Sequence, residues 1–301
     1  MIRRFNKLGR SLLLPLLLLA LPAHGAVKER PFDAARAYRD LVKQCEFGPR
    51  VPGTRPHEQC ADWLVAQLKP LADEVTRQRF TTQVGGKTLA LTNVIATFHP
   101  KGSRHILLCA HWDSRPRAEC DPDPAKRAQP IPGANDGASG VALLLELARA
   151  LKTQPPAQQV TLVLFDGEDW GSEIETMFLG SRYFAKQYPG GAPDWAALLD
   201  MVGDKDLRLP QEGASLDRAP EVVARIWGAA ERAGSTAFVP QRGESILDDH
   251  IPLLDRGIPC IDIIDFTYPY WHTTADTPDK CSAESLGQVG RALLRAIEED
   301  R

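Results

Sequence analysis

The sequence predicts an α/β fold: a mixed, mostly parallel central sheet flanked by helices on both faces, a three-layer sandwich. Two observations predict it. Short apolar, strand-like runs alternate with helical segments along most of the chain, and such connections build parallel sheets covered on both sides. Acids and histidines also collect just past the ends of those runs, where open α/β sheets bind their ligands.

The elements are justified in chain order. Arg3, Arg4, Lys7 and Arg10 precede an apolar run at 12–21 and the small-residue exit Ala23-His24-Gly25-Ala26. That is the pattern of a secretory signal peptide, residues 1–25. Its apolar run is shorter than the roughly 20 residues that cross a bilayer. Cleavage near Gly25, export to the periplasm or beyond, and no stable membrane span afterwards are therefore expected. Arg3-Arg4 also begins like a twin-arginine signal, although the residues after it match that pattern poorly. Residues 26–301 are read as a single catalytic domain, large enough for a substantial core.

From 31 to 71 apolar positions recur at helical spacing. A strand pair at 77–98, turned at Gly85-Gly86, follows, and this whole segment reads as an N-terminal cap on the sheet. Strands are then predicted at 105–109, 160–165, 196–201 and 258–264, with a helix at 137–151. Residues 116–133 are rich in proline and charge and aperiodic, hence a long loop, and long loops in compact domains are often functional.

Formal net charge is −3 and no lysine or arginine cluster lies outside the signal, so the footprint of a nucleic-acid binder is missing. A small molecule or peptide is the expected partner. Six cysteines in an oxidising compartment predict one or more disulfides. None forms a C-x-x-C pair, so they are not counted as metal ligands.

His111 and Asp113 follow the first parallel strand, Asp166, Glu168 and Asp169 the second; Asp200 ends the third, and Trp271-His272 come after the last. Asp136, Asp169 and His272 supply three N/O ligands, the number a catalytic zinc takes while leaving a fourth position open. Plainer roles exist for each. Asp136 beside Asn135 could cap the helix at 137, Asp166-Gly167-Glu168-Asp169 could be a solvated turn, and His272 could be structural. Adjacent acids nevertheless have a chemical use: Asp169 ligates while Glu168 carries a proton. Asp248-Asp249-His250 opens a helical run, where one acid would suffice as a cap.

Taken together, Gly-Ala-Asn-Asp-Gly-Ala-Ser-Gly (133–140), Leu-Glu-Leu-Ala-Arg-Ala-Leu (145–151), Phe-Asp-Gly-Glu-Asp (165–169), Leu-Gly-Ser-Arg (179–182), Leu-Leu-Asp-Met-Val-Gly (198–203) and Trp-His-Thr (271–273) resemble the zinc aminopeptidase fold, of the α/β-hydrolase-like three-layer kind. The resemblance covers most of the chain after about Phe98. Within that fold the chain is most similar to exported bacterial glutaminyl-peptide cyclotransferases. His111-Trp112-Asp113 through Asp121-Pro122-Asp123-Pro124 to Gly133, Asp248-Asp249-His250 and Trp271 carry the finer likeness.

The resemblance implies one zinc per chain on Asp136, Asp169 and His272, with Glu168 as proton shuttle, Asp248 as a second catalytic acid and Trp271 as a pocket wall. His111 and Asp200 match the positions that complete a second zinc site in two-zinc relatives. The implied substrates are peptides or proteins with N-terminal glutamine. The chain departs from the pattern at Arg117 and Met177, where tryptophans are usual, which leaves Trp170, Trp112 or Tyr268 as candidate pocket covers. Two alternatives stay open: a two-zinc aminopeptidase, and a non-catalytic peptide-binding protein.

Overall fold

The computed structural model describes residues 31–189 and 191–300; the expected signal peptide lies outside them. No helix among the described residues is long and apolar enough to cross a membrane.

The segment 31–71 is helical as expected but broken in two. Helix α1 (Ala34–Glu46) begins where the Asp33 side chain accepts from the Arg36 N–H, and α2 (Arg55–Leu68) where Thr54 accepts from His57 with proline in the first turn. Between them Gly48 adopts a φ of 95°. Strands β1 (Glu74–Val84) and β2 (Lys87–Phe98) form an antiparallel hairpin. Its two-residue turn holds Gly85 and Gly86 at φ 56° and 77°, the left-handed backbone such hairpins require.

One expectation is corrected here. The strand pair is not a cap but the outer part of the main sheet, because β2 pairs antiparallel with β4 (Gln159–Phe165) from Val94 to Phe98. Strands β3 (His105–His111), β5 (Trp195–Asp200) and β8 (Cys260–Ile264) complete a six-stranded sheet of order β1-β2-β4-β3-β5-β8, and the last four strands are parallel. The parallel strands fall within two residues of the predicted ranges. They are buried on both faces, as helix-covered strands must be.

Helix α3 (Ala138–Thr153) covers one face and α4 (Leu179–Gln187) the other. Ala110 faces Gly140 of α3, whereas Phe165 meets Phe184 of α4 edge-on. Ala110 and Phe165 are one register step apart on paired strands, so the alternation of the pleat sends them to opposite sides. Helix α7 (His250–Asp255) packs beside α4. Helix α8 (Ala283–Glu299), capped by Ser282, buries Leu286, Val289, Leu293 and Ile297 against α1, α3 and α6 (Pro220–Arg232). A second, two-stranded parallel sheet of β6 (Leu209–Gln211) and β7 (Phe238–Arg242) flanks the short helix α5 (Gly213–Arg218). Strands of three and five residues leave no periodicity to read.

A second correction concerns the cysteines. All six are free thiols, and Cys60, Cys109, Cys260 and Cys281 are buried as ordinary core residues. Small buried thiols pack like any compact apolar side chain.

Candidate active site and metal centre

The parallel strands end together, and their following residues converge. Asp136 comes from the loop before α3, Asp169 from beyond β4 and His272 from beyond β8, and one ligand atom of each lies within 4.8 Å of the others. His272 Nε2 stands 3.5 Å from Asp169 Oδ1 and 3.7 Å from Asp136 Oδ2. The plainer roles are not taken. Gly137 occupies the cap position of α3 and no side chain caps it, while Asp166 and Asp169 are buried rather than solvated. Asp136 Oδ2 and Asp169 Oδ2 are buried with no hydrogen-bond partner. Two carboxylate oxygens unpaired beside a histidine fit a divalent cation, and the O,O,N donor set fits zinc.

Burial, then the charge of Asp169, pushes Asp136 up to about 6. Burial also acts upward on Asp169, but His272 and Arg115 outweigh it and hold that carboxyl below the usual range. Burial works to lower His272, and the carboxylates of Asp169, Glu119 and Asp136 override it and raise the imidazole to about 9.

Residues that the strand-end reading does not reach hold this trio. Arg115 Nη1 donates to Asp169, its Nε donates to Glu119 at 2.6 Å, and Glu119 Oε1 lies 3.1 Å from His272 Nδ1. Asp113 accepts from the backbone N–H groups of both Glu168 and Asp169. Asp276 accepts from those of Asn135 and Asp136 and from the Tyr268 hydroxyl. His272 itself has a φ of 53°. A non-glycine residue in left-handed backbone costs of order 1 kcal/mol and persists where its surroundings fix it, often at functional sites.

Behind the trio, His111 Nε2 lies 3.2 Å from both Asp136 Oδ1 and Asp200 Oδ1, making a second group with metal-ligand spacing. The turn into α3 passes so close that a Cβ on Gly137 would fall 2.4 Å from His111 Nε2. Only glycine fits there.

Glu168 Oε2 is 3.8 Å from His111 Nδ1. Burial, then Asp169, raises its pKa well above the ordinary value. Burial, then Asp200 and Asp249, does the same to Asp248, whose Oδ2 has no partner. Asp249 does not cap α7; it accepts from Ser181 Oγ. Deeper still, His250 lies between two carboxylates, 3.5 Å from Glu212 and 3.8 Å from Asp262. Asp262 is fully buried in β8. A charged residue inside Ile261-Asp262-Ile263-Ile264 was the available sequence signal for this network; Glu212 offers none.

Trp271 stacks on His272 with ring centroids 3.8 Å apart, at the border of the metal group. Of the other candidate covers, Tyr268 packs in one cluster with Trp271, whereas Trp112 and Trp170 are placed elsewhere. Trp112 is fully buried and stacked on His57. Tyr268 is buried and bonded to Asp276. Trp170 packs against the β1–β2 hairpin, with Lys87 over its ring.

Comparison with known proteins bears on this arrangement. Peptidase family M28 matches residues 93–297. The glutaminyl-peptide cyclotransferase of Drosophila melanogaster is 30% identical over 83% of this chain and 77% of its own. Among solved structures, the glutaminyl cyclase of Tannerella forsythia is 38% identical, with a TM-score of 0.86 over 90% of this chain and 99% of that one. A leucine aminopeptidase precursor from Bacteroides thetaiotaomicron is 36% identical, with a TM-score of 0.89 over 91% and 100%.

Proposed function

Since this chain belongs to peptidase family M28, we infer that it is a zinc-dependent acyltransferase, a glutaminyl-peptide cyclotransferase. It converts the N-terminal glutamine of peptides or proteins to pyroglutamate with release of ammonia. The similarity to a bacterial glutaminyl cyclase over nearly the whole chain carries this reading.

In that reaction the α-amine attacks the residue's own side-chain carboxamide carbon, a new C–N bond closes the ring, and the old amide C–N bond breaks. Asp136, Asp169 and His272 would hold the zinc, which would supply Lewis acidity toward the carboxamide oxygen. Nucleophile and electrophile belong to one residue, so the pocket acts mainly by holding a cyclic near-attack shape. Glu168, buried 3.8 Å from His111 Nδ1, takes the proton from the amine and delivers it to the departing nitrogen. Asp248 orients the carboxamide nitrogen and shares the buried acid cluster with Asp200. Trp271 shields the site from water, which would otherwise compete for the same carbonyl.

The peptidase reading has two observations in its favour, the His111–Asp136–Asp200 group able to take a second metal and the likeness to a leucine aminopeptidase precursor. Mass spectrometry of a Gln-initiated and a Leu-initiated peptide separates the two readings. Loss of ammonia from the first supports the cyclase; removal of a terminal residue from either overturns it. The basic-then-apolar start of the chain supports export to the periplasm or beyond, with residues 1–25 removed and 26–301 acting as one catalytic domain.

A further inference from the structure

Among the described residues only three large hydrophobic side chains are exposed: Ile174, Leu247 and Phe266. Two of them share one surface groove and the third packs on Trp271. Leu247 immediately precedes Asp248, and Phe266 packs on Trp271 at 5.0 Å. Ile174 and Leu247 together line a surface groove of about 310 Å³ between α4 and α7, floored by Phe178 and Ile251. That is within the range of small-ligand sites, about 300 to 1,000 Å³.

Two backbone hydrogen bonds tie the lining of the groove to the segments that carry the assigned acids. The Phe178 N–H donates to the carbonyl of Glu168 at 3.0 Å, and the Ile251 N–H donates to the carbonyl of Asp248 at 2.9 Å. Each apolar wall thus hangs from a backbone carrying one of the two acids assigned to the reaction. Leu247, beside Asp248 in the chain, is the groove residue nearest in sequence to the assigned acids.

The far end is basic. Arg182, Lys186 and Arg256 line it together with one acid, Asp255, and Asp255 is already paired with Arg218 at 2.8 Å. The guanidinium of Arg182 is held in place by the carbonyls of Met177 and Ile174, which keeps its charge at the rim.

We propose that this groove between α4 and α7 binds the substrate segment immediately after the N-terminal glutamine, favouring an apolar residue next and an acidic residue beyond it. The proposal rests on the cyclase reading and names its substrate class. The apolar walls recognise the second side chain, and the basic end selects a carboxylate by charge complementarity, which raises association and specificity more than tight binding.

The experiment compares kcat/KM for Gln-Leu-Asp, Gln-Leu-Lys and Gln-Ser-Asp peptides of equal length, each divided by the value for glutamine amide, which reaches only the pocket. In wild type the acidic peptide is expected to exceed the basic one about fivefold, the size of an exposed ion pair, with the gap closing at high salt. Lys186→Glu is expected to remove or invert the gap through KM, and Leu247→Ser to erase the advantage of leucine over serine. Equal ratios for all peptides in wild type, or preferences unchanged in both variants, overturn the groove while glutamine amide is still cyclised. If glutamine amide itself is not cyclised, the cyclase reading fails and the groove assignment falls with it.

Discussion

Glu119 Oε1 lies 3.1 Å from Nδ1 of His272, so the nitrogen facing Asp136 and Asp169 is Nε2. The same carboxylate accepts from Arg115, which donates to Asp169. One acid–guanidinium pair therefore orients two of the three proposed zinc ligands. Outer partners of this kind typically contribute 10- to 100-fold in metal affinity, about tenfold at least. Glu119→Ala is expected to weaken zinc by that factor in chelator competition, with Glu119→Gln intermediate; unchanged affinity in the alanine variant would remove Glu119 from this role.

Glu168 touches none of the three proposed ligands in a hydrogen bond, yet it lies beside them. Glu168→Gln is expected to lower kcat by about 10² to 10⁴, the worth of a positioned general acid–base group, while metal analysis finds zinc retained. Turnover that persists would place the proton carrier elsewhere.

Zinc removal offers a separate check. Dialysis against a chelator is expected to abolish cyclisation, and zinc titrated back is expected to restore it at one equivalent per chain. Recovery that needs a second tightly bound equivalent would point to the His111–Asp136–Asp200 group and the peptidase reading.

Glu212 yields a pH prediction. Burial pushes its carboxyl up, but His250, Ser215 and the N–H groups of Ile246 and Ala214 pull it down to about 2, against about 4.3 in an unfolded chain. A folded pKa below the unfolded one stabilises the protein above about pH 4, and that contribution disappears as pH falls toward 2. Glu212→Gln is expected to cost about 1 to 3 kcal/mol at pH 7. In urea melts the gap from wild type is expected to narrow between about pH 4 and 2; a gap independent of pH would contradict the assignment.

Gly137→Ala tests the contact between the α3 turn and His111. The added carbon cannot share space with the imidazole, so the ring must leave Asp136 and Asp200. Overpacking of this sort costs about 1 to 3 kcal/mol. The melting temperature is expected to fall and activity with it; a variant with wild-type stability would show that the turn yields freely.

The parallel strands were legible because both of their faces are buried, which leaves nearly unbroken apolar runs, and because the sheet places chemistry at the carboxyl end of each run. His111, Asp169, Asp200 and His272 were singled out that way, and the fold brings them into groups with metal-ligand spacing. The N-terminal hairpin was legible as strands but not in its role, since an antiparallel pair reads the same whether it caps a sheet or joins it; only the Val94–Phe98 pairing with β4 decides. Arg115 and Glu119 stayed hidden inside an aperiodic loop, where spacing says nothing about which side chains turn inward. Trp170 and Trp112 show the reverse difficulty. An aromatic near a motif in sequence can face the hairpin or His57 in space.

Cys120 adjoins Glu119, and its N–H donates to the carbonyl of His272. It is exposed, whereas Cys45 is half-buried and the other four thiols are buried. A bulky maleimide dye therefore has one readily reached thiol, one residue from Glu119 and bonded through its own backbone to His272, a place from which zinc loading can be followed without substrate or turnover.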